Sequence, residues 1–256
     1  MKVKPKKHLG QHFLKNDAIC ARISASLTRH GGYTRVLEIG PGTGALTKHL
    51  LERDDIDLAV VEIDRESINY LEQHYRQLLG RIVDQDFLKL NLDEISPEPF
   101  GVIGNFPYNI SSQILFKVYD YRDQVPEVVG MFQREVAQRI ASPPGSKAYG
   151  ILSVLLQAYY DIEYLFTVDE NEFIPPPKVK SAVIRLKRNE TTKLDCDEKK
   201  FKQVIKLGFG MRRKTLRNSL KSLIEQYDVD KSQEIFNKRP EQLGVEEFVE
   251  LTKMFS

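Results

Sequence analysis

Short apolar runs alternate with helical stretches through the first half of the chain, and this alternation is the feature that most constrains the fold. The runs that read as strands are residues 36–39, 58–64, 81–83, 100–105 and 128–132. Apolar residues at helical spacing lie between them, for example Leu46 with Leu50 and Ile68 with Leu71. Strands that alternate with helices form right-handed βαβ units. We therefore predict an α/β fold with a doubly wound, mostly parallel sheet, a Rossmann-like architecture.

The second half of the chain changes character at a polar stretch. Residues 154–166 and 181–186 read as the last strands. The polar residues that follow Arg188 read as a linker, and the periodicity beyond them is helical. We predict two domains, an α/β domain at residues 1–188 and a small all-α domain at residues 189–256.

Composition excludes several classes of protein. A hydrophobic content of 41% and a charged content of 29% are ordinary for a soluble globular protein. The two cysteines, Cys20 and Cys196, argue against a disulfide framework or a zinc site. The basic start is not followed by the apolar segment of a secretory signal, and no stretch approaches the roughly 18 apolar residues of a membrane span. We expect a cytoplasmic protein without a metal, with a monomer as the default.

The tetrapeptide Asn105-Phe106-Pro107-Tyr108 ends the fourth apolar run and carries the clearest functional signal. The Asn side-chain oxygen and the Phe106 carbonyl can accept the two hydrogens of an exocyclic amine, while the Tyr108 ring stacks on the base. A base held in this way has to leave its stack, as it does in enzymes that do chemistry on bases. The pattern indicates methylation of an amino group, although an ordinary strand-to-helix turn would also use Asn and Pro.

A glycine loop and two carboxylates follow the first three apolar runs. Gly40, Gly42 and Gly44 let a backbone approach a ligand closely, because glycine has no Cβ. Glu62 is placed to bind ribose hydroxyls, which fits either NAD or S-adenosylmethionine. Asp86 can accept a hydrogen bond from an adenine amino group. The amine-gripping tetrapeptide at the next strand end favours S-adenosylmethionine, because a hydride-transfer enzyme has no need for it.

Ordered motifs extend this interpretation over nearly the whole chain, at residues 8–14, 38–47, 62–64, 86–87, 104–111 and 173–179. In these motifs the chain resembles the small-subunit (16S) ribosomal RNA adenine dimethyltransferases of the KsgA/RsmA type. The resemblance implies S-adenosylmethionine-dependent conversion of two adjacent adenosines near the 3′ end of 16S rRNA to N6,N6-dimethyladenosine, with a role in 30S biogenesis. It also implies a catalytic domain at residues 1–188 and a helical rRNA-binding domain at residues 189–256.

The resemblance assigns roles to individual residues. The implied cofactor-binding residues are Gln11, His12, Leu14, Gly40, Gly42, Gly44, Glu62, Asp86 and Asn105. The implied catalytic residues are Asn105, Phe106, Pro107, Tyr108 and Phe173, with the Tyr108 and Phe173 rings on either side of the flipped base. The family usually has Asn at the position of His12 and Leu at that of Phe106. His12 can still donate a hydrogen bond and would make cofactor binding pH-sensitive; only the backbone carbonyl of Phe106 is needed.

Basic residues are concentrated at the start of the helical domain. Residues 199–222 contain many Lys and Arg and no Asp or Glu, with apolar residues interleaved at helical spacing. A cationic face of this kind suits phosphate backbones, and its affinity falls with salt. The predicted RNA-binding residues are Lys178, Arg212, Arg213, Lys214 and Arg217. The basic start adds a further contact through Lys2, Lys4, Lys6 and Lys7.

Other functions stay open at this point. A 23S rRNA adenine-N6 methyltransferase of the macrolide-resistance type shares the pocket motifs and differs in the subunit that it modifies. A DNA adenine methyltransferase would leave the basic helical domain without a purpose. The protein could instead act chiefly as a non-catalytic ribosome-assembly factor. An NAD oxidoreductase would be favoured only if S-adenosylmethionine did not bind.

Overall fold

The computed structural model describes residues 3–255, which form two compact units. The first unit contains the residues up to Ala137 together with Asp161–Arg188, and the second contains Gln138–Tyr160 and the residues from Asn189 onward. The predicted boundary at residue 188 puts the whole of 138–160 in the α/β domain. In the structure this stretch groups with the C-terminal helices.

The strands of the described chain are β1 (Phe13–Leu14), β2 (Arg35–Ile39), β3 (Asp57–Glu62), β4 (Ile82–Asp84), β5 (Gly101–Asn105), β6 (Glu127–Gln133), β7 (Tyr160–Val168), β8 (Phe173–Ile174) and β9 (Ser181–Arg188). Within residues 3–255 one sheet has the order β4-β3-β2-β5-β6-β9-β7, and a second, small sheet joins β1 to β8. The pairs from β4 to β6 are parallel, and β9 is antiparallel to β6. The predicted doubly wound, mostly parallel sheet is confirmed.

The α-helices of the described chain are α1 (Asp17–Ala25), α2 (Thr47–Leu51), α3 (Arg65–His74), α4 (Ser111–Asp120), α5 (Arg134–Ala141), α6 (Ile151–Gln157), α7 (Glu198–Gly210), α8 (Leu216–Ser219), α9 (Lys221–Gln226) and α10 (Val245–Lys253). Several begin at a side-chain cap, as α3 does at Asp64 and α7 at Asp197. Over residues 3–255, no helix has both the length and the apolar character needed to cross a membrane.

Helix α6 occupies part of a stretch that the sequence analysis read as a strand. The predicted strand 154–166 is instead the end of α6 followed by β7. Residues 152–156 are all buried and, except for Ser153, apolar, so the stretch lacks the periodicity that distinguishes a helix from a buried strand. The helix begins after Gly150, whose N–H donates to Ser153 Oγ at 2.9 Å. Packing of α6 against α7 and α10 in the second unit then stabilises the helix.

The central strands are apolar because both faces of the sheet are covered. Val36, Ile103 and Val129, from three neighbouring strands, are each 0% exposed. Strands buried on both faces read as unbroken apolar runs, which is why the sequence revealed them. Polar residues begin where these runs end. Glu62 and Asn105 end their strands at the same edge of the sheet, the edge where ligands bind in doubly wound folds.

Candidate active site

A cavity of about 200 Å³ lies at the carboxyl ends of β2, β3, β4 and β5, within the first unit. The predicted site residues that line it are Gln11, His12, Gly40, Gly42, Glu62, Asp86, Asn105, Phe106, Pro107 and Tyr108. The other lining residues come from the N-terminal segment, the ends of the strands and the turn before α4. Residues far apart in the chain therefore meet at one place.

The Asn105 side chain is oriented by the N-terminal segment. Its Nδ2 donates a hydrogen bond to the backbone carbonyl of His12 at 2.8 Å. Because a carbonyl oxygen only accepts, the amide nitrogen must face His12. The side-chain oxygen is thereby left as the acceptor of Asn105, and no hydrogen bond to that oxygen occurs within residues 3–255. The arrangement is what an acceptor for an amine hydrogen requires.

The Phe106 ring is accommodated by two glycines. The ring is buried and packs edge-on against Phe132, with ring centroids 5.1 Å apart. A Cβ at Gly130 would lie 2.4 Å from the Phe106 ring, and one at Gly104 would lie 2.7 Å from it. The bulky residue therefore fits because neighbouring strands carry no side chain there. The peptide N–H of Phe106 donates to the Met131 carbonyl at 3.3 Å, which ties this turn to β6.

Tyr108 presents a ring that is already stacked. The His12 imidazole lies 5.3 Å from it between centroids, at an interplanar angle of 25°. His12 Nδ1 donates to the Pro175 carbonyl at 2.8 Å, since a carbonyl can only accept. The Tyr108 hydroxyl hydrogen-bonds Ser181 Oγ. Burial raises the pKa of Tyr108, so the phenol remains neutral.

The glycine loop has a backbone that only glycine adopts readily. Gly40 and Gly42 have φ angles of +66° and +57°, in the left-handed region. A Cβ at Gly42 would lie 2.8 Å from the Phe13 ring, whereas a Cβ at Gly40 would meet only Pro107, at 3.9 Å. Gly42 is thus required by packing and backbone alike. Gly40 leaves the floor of the cavity open to a ligand.

Glu62 joins the glycine loop to the end of β3. The carboxylate is buried and accepts backbone N–H groups from Gly42 at 3.1 Å, Ile63 at 2.8 Å and Asp64 at 2.9 Å. Burial raises the pKa of Glu62, and the three N–H groups oppose that shift by stabilising the charged form. The side chain therefore sets the shape of the loop as well as lining the cavity.

A second buried carboxyl, Glu38, lies in β2 beneath the loop. It is 2% exposed and accepts a hydrogen bond from Thr47 Oγ1 at 2.7 Å. Burial raises the pKa of Glu38 to about 8. With Gly40 and Asn105 it lines a separate cavity of about 30 Å³. Glu38 was not among the predicted site residues, because an acid within an apolar strand gives no local signal of its surroundings.

The N-terminal segment is fastened to the first unit through Asp64. The Lys6 ammonium forms an ion pair with Asp64. Gln11 Nε2 donates to Asp64 at 3.3 Å, and Gln11 Oε1 accepts a hydrogen bond from the backbone N–H of Lys6 at 2.8 Å. Lys6 is therefore held on the protein by this ion pair, and its RNA contact stays a prediction. Lys2, from the same prediction, lies outside the described residues.

Asp86 follows β4 and faces the same cavity. Its Oδ1 accepts the N–H of Leu88 at 2.9 Å, an Asx turn that sets the direction of the carboxylate. Phe87 beside it is buried and also lines the cavity.

Across residues 3–255, no group of three or more His, Cys, Asp or Glu side chains is arranged to hold a metal ion.

Comparison with known proteins identifies the family. A family model described as ribosomal RNA adenine dimethylase matches residues 2–255. The chain belongs to the ribosomal RNA adenine dimethylase family. It is 60% identical over 255 residues to the ribosomal RNA small subunit methyltransferase A of Cytophaga hutchinsonii, covering 100% of this chain and 98% of that protein. The protein of the same name from Parabacteroides distasonis is 60% identical over 250 residues, covering 98% of this chain and 93% of that protein.

Solved structures agree with the family. The crystal structure of a dimethyladenosine transferase from Plasmodium falciparum is similar with a TM-score of 0.77 and 25% identity, covering 95% of this chain and 98% of that chain. The 23S rRNA methyltransferase ErmE is similar with a TM-score of 0.66 and 25% identity, covering 95% and 99%. The predicted family, enzyme class and fold are confirmed. The names of the curated relatives favour the predicted small-subunit type over the 23S type.

Three residues that the family resemblance assigned to the site do not line the main cavity. Phe173 is 1% exposed and belongs to the core, where β8 pairs with β1, so it does not face Tyr108 across an open slot. Leu14 is buried with it, because successive residues of a strand point to opposite faces and the preceding Phe13 takes the cavity side. Gly44 packs under Tyr75, whose ring would lie 2.5 Å from a Cβ there.

Ile63 is a lining residue of this family member that the sequence analysis missed. It is 52% exposed although it is a large apolar side chain, and it lies at the cavity beside Glu62. An apolar residue directly after the acidic residue that ends a strand is the signal that could have identified it. An exposed apolar surface at this point suits contact with a planar ring.

The predicted RNA-binding residues of the second unit lie in and beside a turn. Arg212, Arg213 and Lys214 follow the end of α7, and Arg217 lies in α8. Arg213 and Lys214 are exposed. Arg212 donates to the Lys147 carbonyl, and Arg217 donates to Asn237 Oδ1 at 2.8 Å. Five of the apolar residues interleaved in this stretch are buried: Phe201, Val204, Ile205, Leu216 and Leu220. A sixth, Phe209, is partly buried.

Proposed function

We propose that this protein transfers methyl groups from S-adenosyl-L-methionine to N6 of two adjacent adenosines near the 3′ end of 16S rRNA, in the small ribosomal subunit. The observation that carries the proposal is the oriented amide of Asn105, whose nitrogen is taken by the His12 carbonyl. Asn105, Phe106 and Tyr108 line the same cavity as Gly40, Gly42 and Glu62. Family membership supports the same chemistry.

The residues present suit S-adenosylmethionine. Gly40 leaves room for close approach, and Glu62 offers a carboxylate to the ribose hydroxyls. Asp86 would accept from the adenine amino group, with Ile63 and Phe87 against the ring. Gln11 and His12 would line the methionine side of the cavity. The Gln11 side chain is held in place by its hydrogen bonds to Lys6 and Asp64. When bound, the cofactor supplies a methyl group on a sulfonium, a good leaving group.

Two acceptors and one ring would present the target base. The lone pair of adenine N6 is delocalised into the ring, so the amine is a poor nucleophile. Asn105 Oδ1 and the Phe106 carbonyl accept its hydrogens and favour a nitrogen nearer sp³, with its lone pair aimed at the methyl group. Tyr108 would stack on the base, an interaction worth roughly 1–3 kcal/mol. The cofactor would supply the methyl group, and for each methyl group that it gains the amine would release one proton to solvent.

The two units would have different functions. The first would hold the cofactor and the flipped base. The second would bind rRNA phosphates through Arg212, Arg213, Lys214 and Arg217, and Lys178, which is exposed beyond β8 in the first unit, would add a contact. Backbone contacts of this type fix position without reading sequence, so a structured particle is the expected substrate.

Methyl transfer to ribosomal particles tests the proposal. Labelled S-adenosylmethionine is given to undermethylated 30S particles and, in parallel, to 50S particles, followed by nucleoside analysis of each rRNA. We expect N6,N6-dimethyladenosine in 16S rRNA only. Label in 23S rRNA would move the protein to the 23S type. No label in either particle, with cofactor still bound, would contradict the proposed substrate.

A role in assembly is compatible with this activity and can be separated from it. Binding of the second unit to rRNA needs none of the cavity residues. If Asn105→Ala is inactive in methyl transfer but still restores 30S maturation in cells, the assembly role depends on binding. Loss of maturation with the same variant would tie assembly to methylation.

A further inference from the structure

The ammonium group of Lys117, in α4, donates all of its hydrogen bonds to backbone carbonyls of one loop. Its Nζ donates to the carbonyls of Phe87 at 2.8 Å and Leu88 at 3.1 Å, and also to that of Leu90. An ammonium group has three N–H donors, so these carbonyls saturate it. The ammonium also lies 5.2 Å from the centroid of the Phe87 ring. The side chain therefore acts as a clamp on residues 87–90.

The clamp reaches Asp86 in one further step. Leu88, whose carbonyl accepts from Lys117, donates its own N–H to Asp86 Oδ1 at 2.9 Å. Lys89 and Leu90 donate their N–H groups back to the Asp86 carbonyl at 2.9 and 3.1 Å. Both ends of the turn are thus held, and within residues 3–255 the other carboxylate oxygen, Oδ2, accepts no hydrogen bond. The direction of that oxygen depends on where the loop is held.

Within residues 3–255, the side-chain hydrogen bonds of Lys117 all go to this loop. It is half-buried, and burial lowers its pKa, which is a cost for a lysine. Its hydrogen-bond partners within residues 3–255 are neutral carbonyls, and the charge of Asp86 only partly offsets the effect of burial on the pKa of Lys117. Its saturated donors also leave nothing for RNA. A desolvated lysine that serves only the backbone of a ligand loop is best explained by the geometry of that loop.

We propose that Lys117 is a positioning residue for adenine selectivity: it sets the Asp86 carboxylate at the distance needed to accept from the cofactor's 6-amino group. This inference rests on the proposed function, since it takes the cavity as the cofactor site. Helix α4 begins at Ser111, whose hydroxyl donates to the Tyr108 carbonyl at 3.2 Å. One helix therefore holds the cofactor loop at one end and the base-binding tetrapeptide at the other.

Selectivity between two ligands tests the positioning role. Affinities are measured by calorimetry for S-adenosylhomocysteine and for its analogue with hydrogen in place of the 6-amino group. The proteins are the wild type, Lys117→Met, Asp86→Ala and, as the matched control, Lys89→Met, which removes an exposed lysine from the same loop. The ratio of the two affinities is the readout. A variant that is partly unfolded lowers both affinities alike and leaves the ratio unchanged.

We expect a wild-type ratio of roughly tenfold or more, as for a hydrogen bond to a charged acceptor. Asp86→Ala should bring the ratio close to one. Lys117→Met should lower it by about threefold or more, as for residues coupled through shared partners, and Lys89→Met should leave it unchanged. An unchanged ratio in Lys117→Met, with a large wild-type ratio, would overturn the positioning role. Failure of the wild type to bind S-adenosylhomocysteine would instead overturn the proposed function.

Discussion

The Asn105 side chain donates its Nδ2 hydrogen to the backbone carbonyl of His12 at 2.8 Å. Since that carbonyl can only accept, the bond decides which end of the amide faces the ligand. The orientation is set by the backbone, so it is independent of which side chain stands at position 12. This explains how the chain can carry His12 where the family usually has Asn.

Replacement of Asn105 separates chemistry from cofactor binding. Asn105→Ala removes the acceptor for the amine hydrogen, and we expect methyl transfer to fall at least about tenfold, near 1.4 kcal/mol of barrier. The affinity for S-adenosylhomocysteine should stay nearly intact. Asn105→Asp restores an acceptor but loses the donor to His12, so it should also be slow. Single-turnover transfer to 30S particles measures the effect. Unchanged turnover in Asn105→Ala would remove Asn105 from the mechanism.

The space for Phe106 predicts a compensating pair. Gly130→Ala would place a Cβ 2.4 Å from the Phe106 ring and 2.6 Å from Phe132, and overpacking of this type costs about 1–3 kcal/mol of unfolding free energy. Phe106→Leu, the usual residue of the family, should relieve part of that cost. Urea unfolding of the two single variants and the double variant gives the coupling energy. Strictly additive costs would show that Gly130 is not there to admit the ring.

Glu38 predicts a pH-dependent stability. Its folded-state pKa of about 8 lies above the ordinary value of 4.5, so folding takes up a proton between these pH values. The stabilisation is complete below the lower value and is lost as pH rises through the higher one, at up to about 1.4 kcal/mol per pH unit. Glu38→Gln removes this dependence and still accepts from Thr47. We expect the variant to gain stability over the wild type from about pH 5 to about pH 8. The unfolding free energies of both proteins are measured by urea unfolding at several pH values. A difference between them that stays constant from about pH 5 to about pH 8 would contradict the prediction.

The exposed cations after α7 predict a salt effect. Arg213→Ala removes a charge that is exposed and remote from the cofactor cavity in sequence. We expect the KM for 30S particles to rise, with kcat retained, and the salt dependence of binding to weaken by about one unit of slope. Lys231→Ala, an exposed lysine of the same unit, is the matched control. Equal effects of the two substitutions would indicate a general charge effect instead of a specific phosphate contact.

Much of the fold was predictable because its signals are local. Strands buried on both faces leave unbroken apolar runs, and the glycine loop, Glu62 and Asp86 stand directly at their ends. The same locality explains the error at 154–157. A run buried on every side has no periodicity, and only its packing in the second unit makes it α6.

The chemistry of the site follows from residue types that the sequence by itself determined: an amide, two carboxylates and glycines at the ends of successive strands. Tertiary structure alone decided how they are used. It turned the amide of Asn105 with a carbonyl from the N-terminal segment, buried Phe173 in the core, engaged Lys6 with Asp64 and placed Lys117 on the Asp86 loop. The physical reason is that the end of a strand can be recognised from adjacent residues in the chain. A hydrogen-bond partner, in contrast, depends on which distant residue the folded chain brings within about 3 Å.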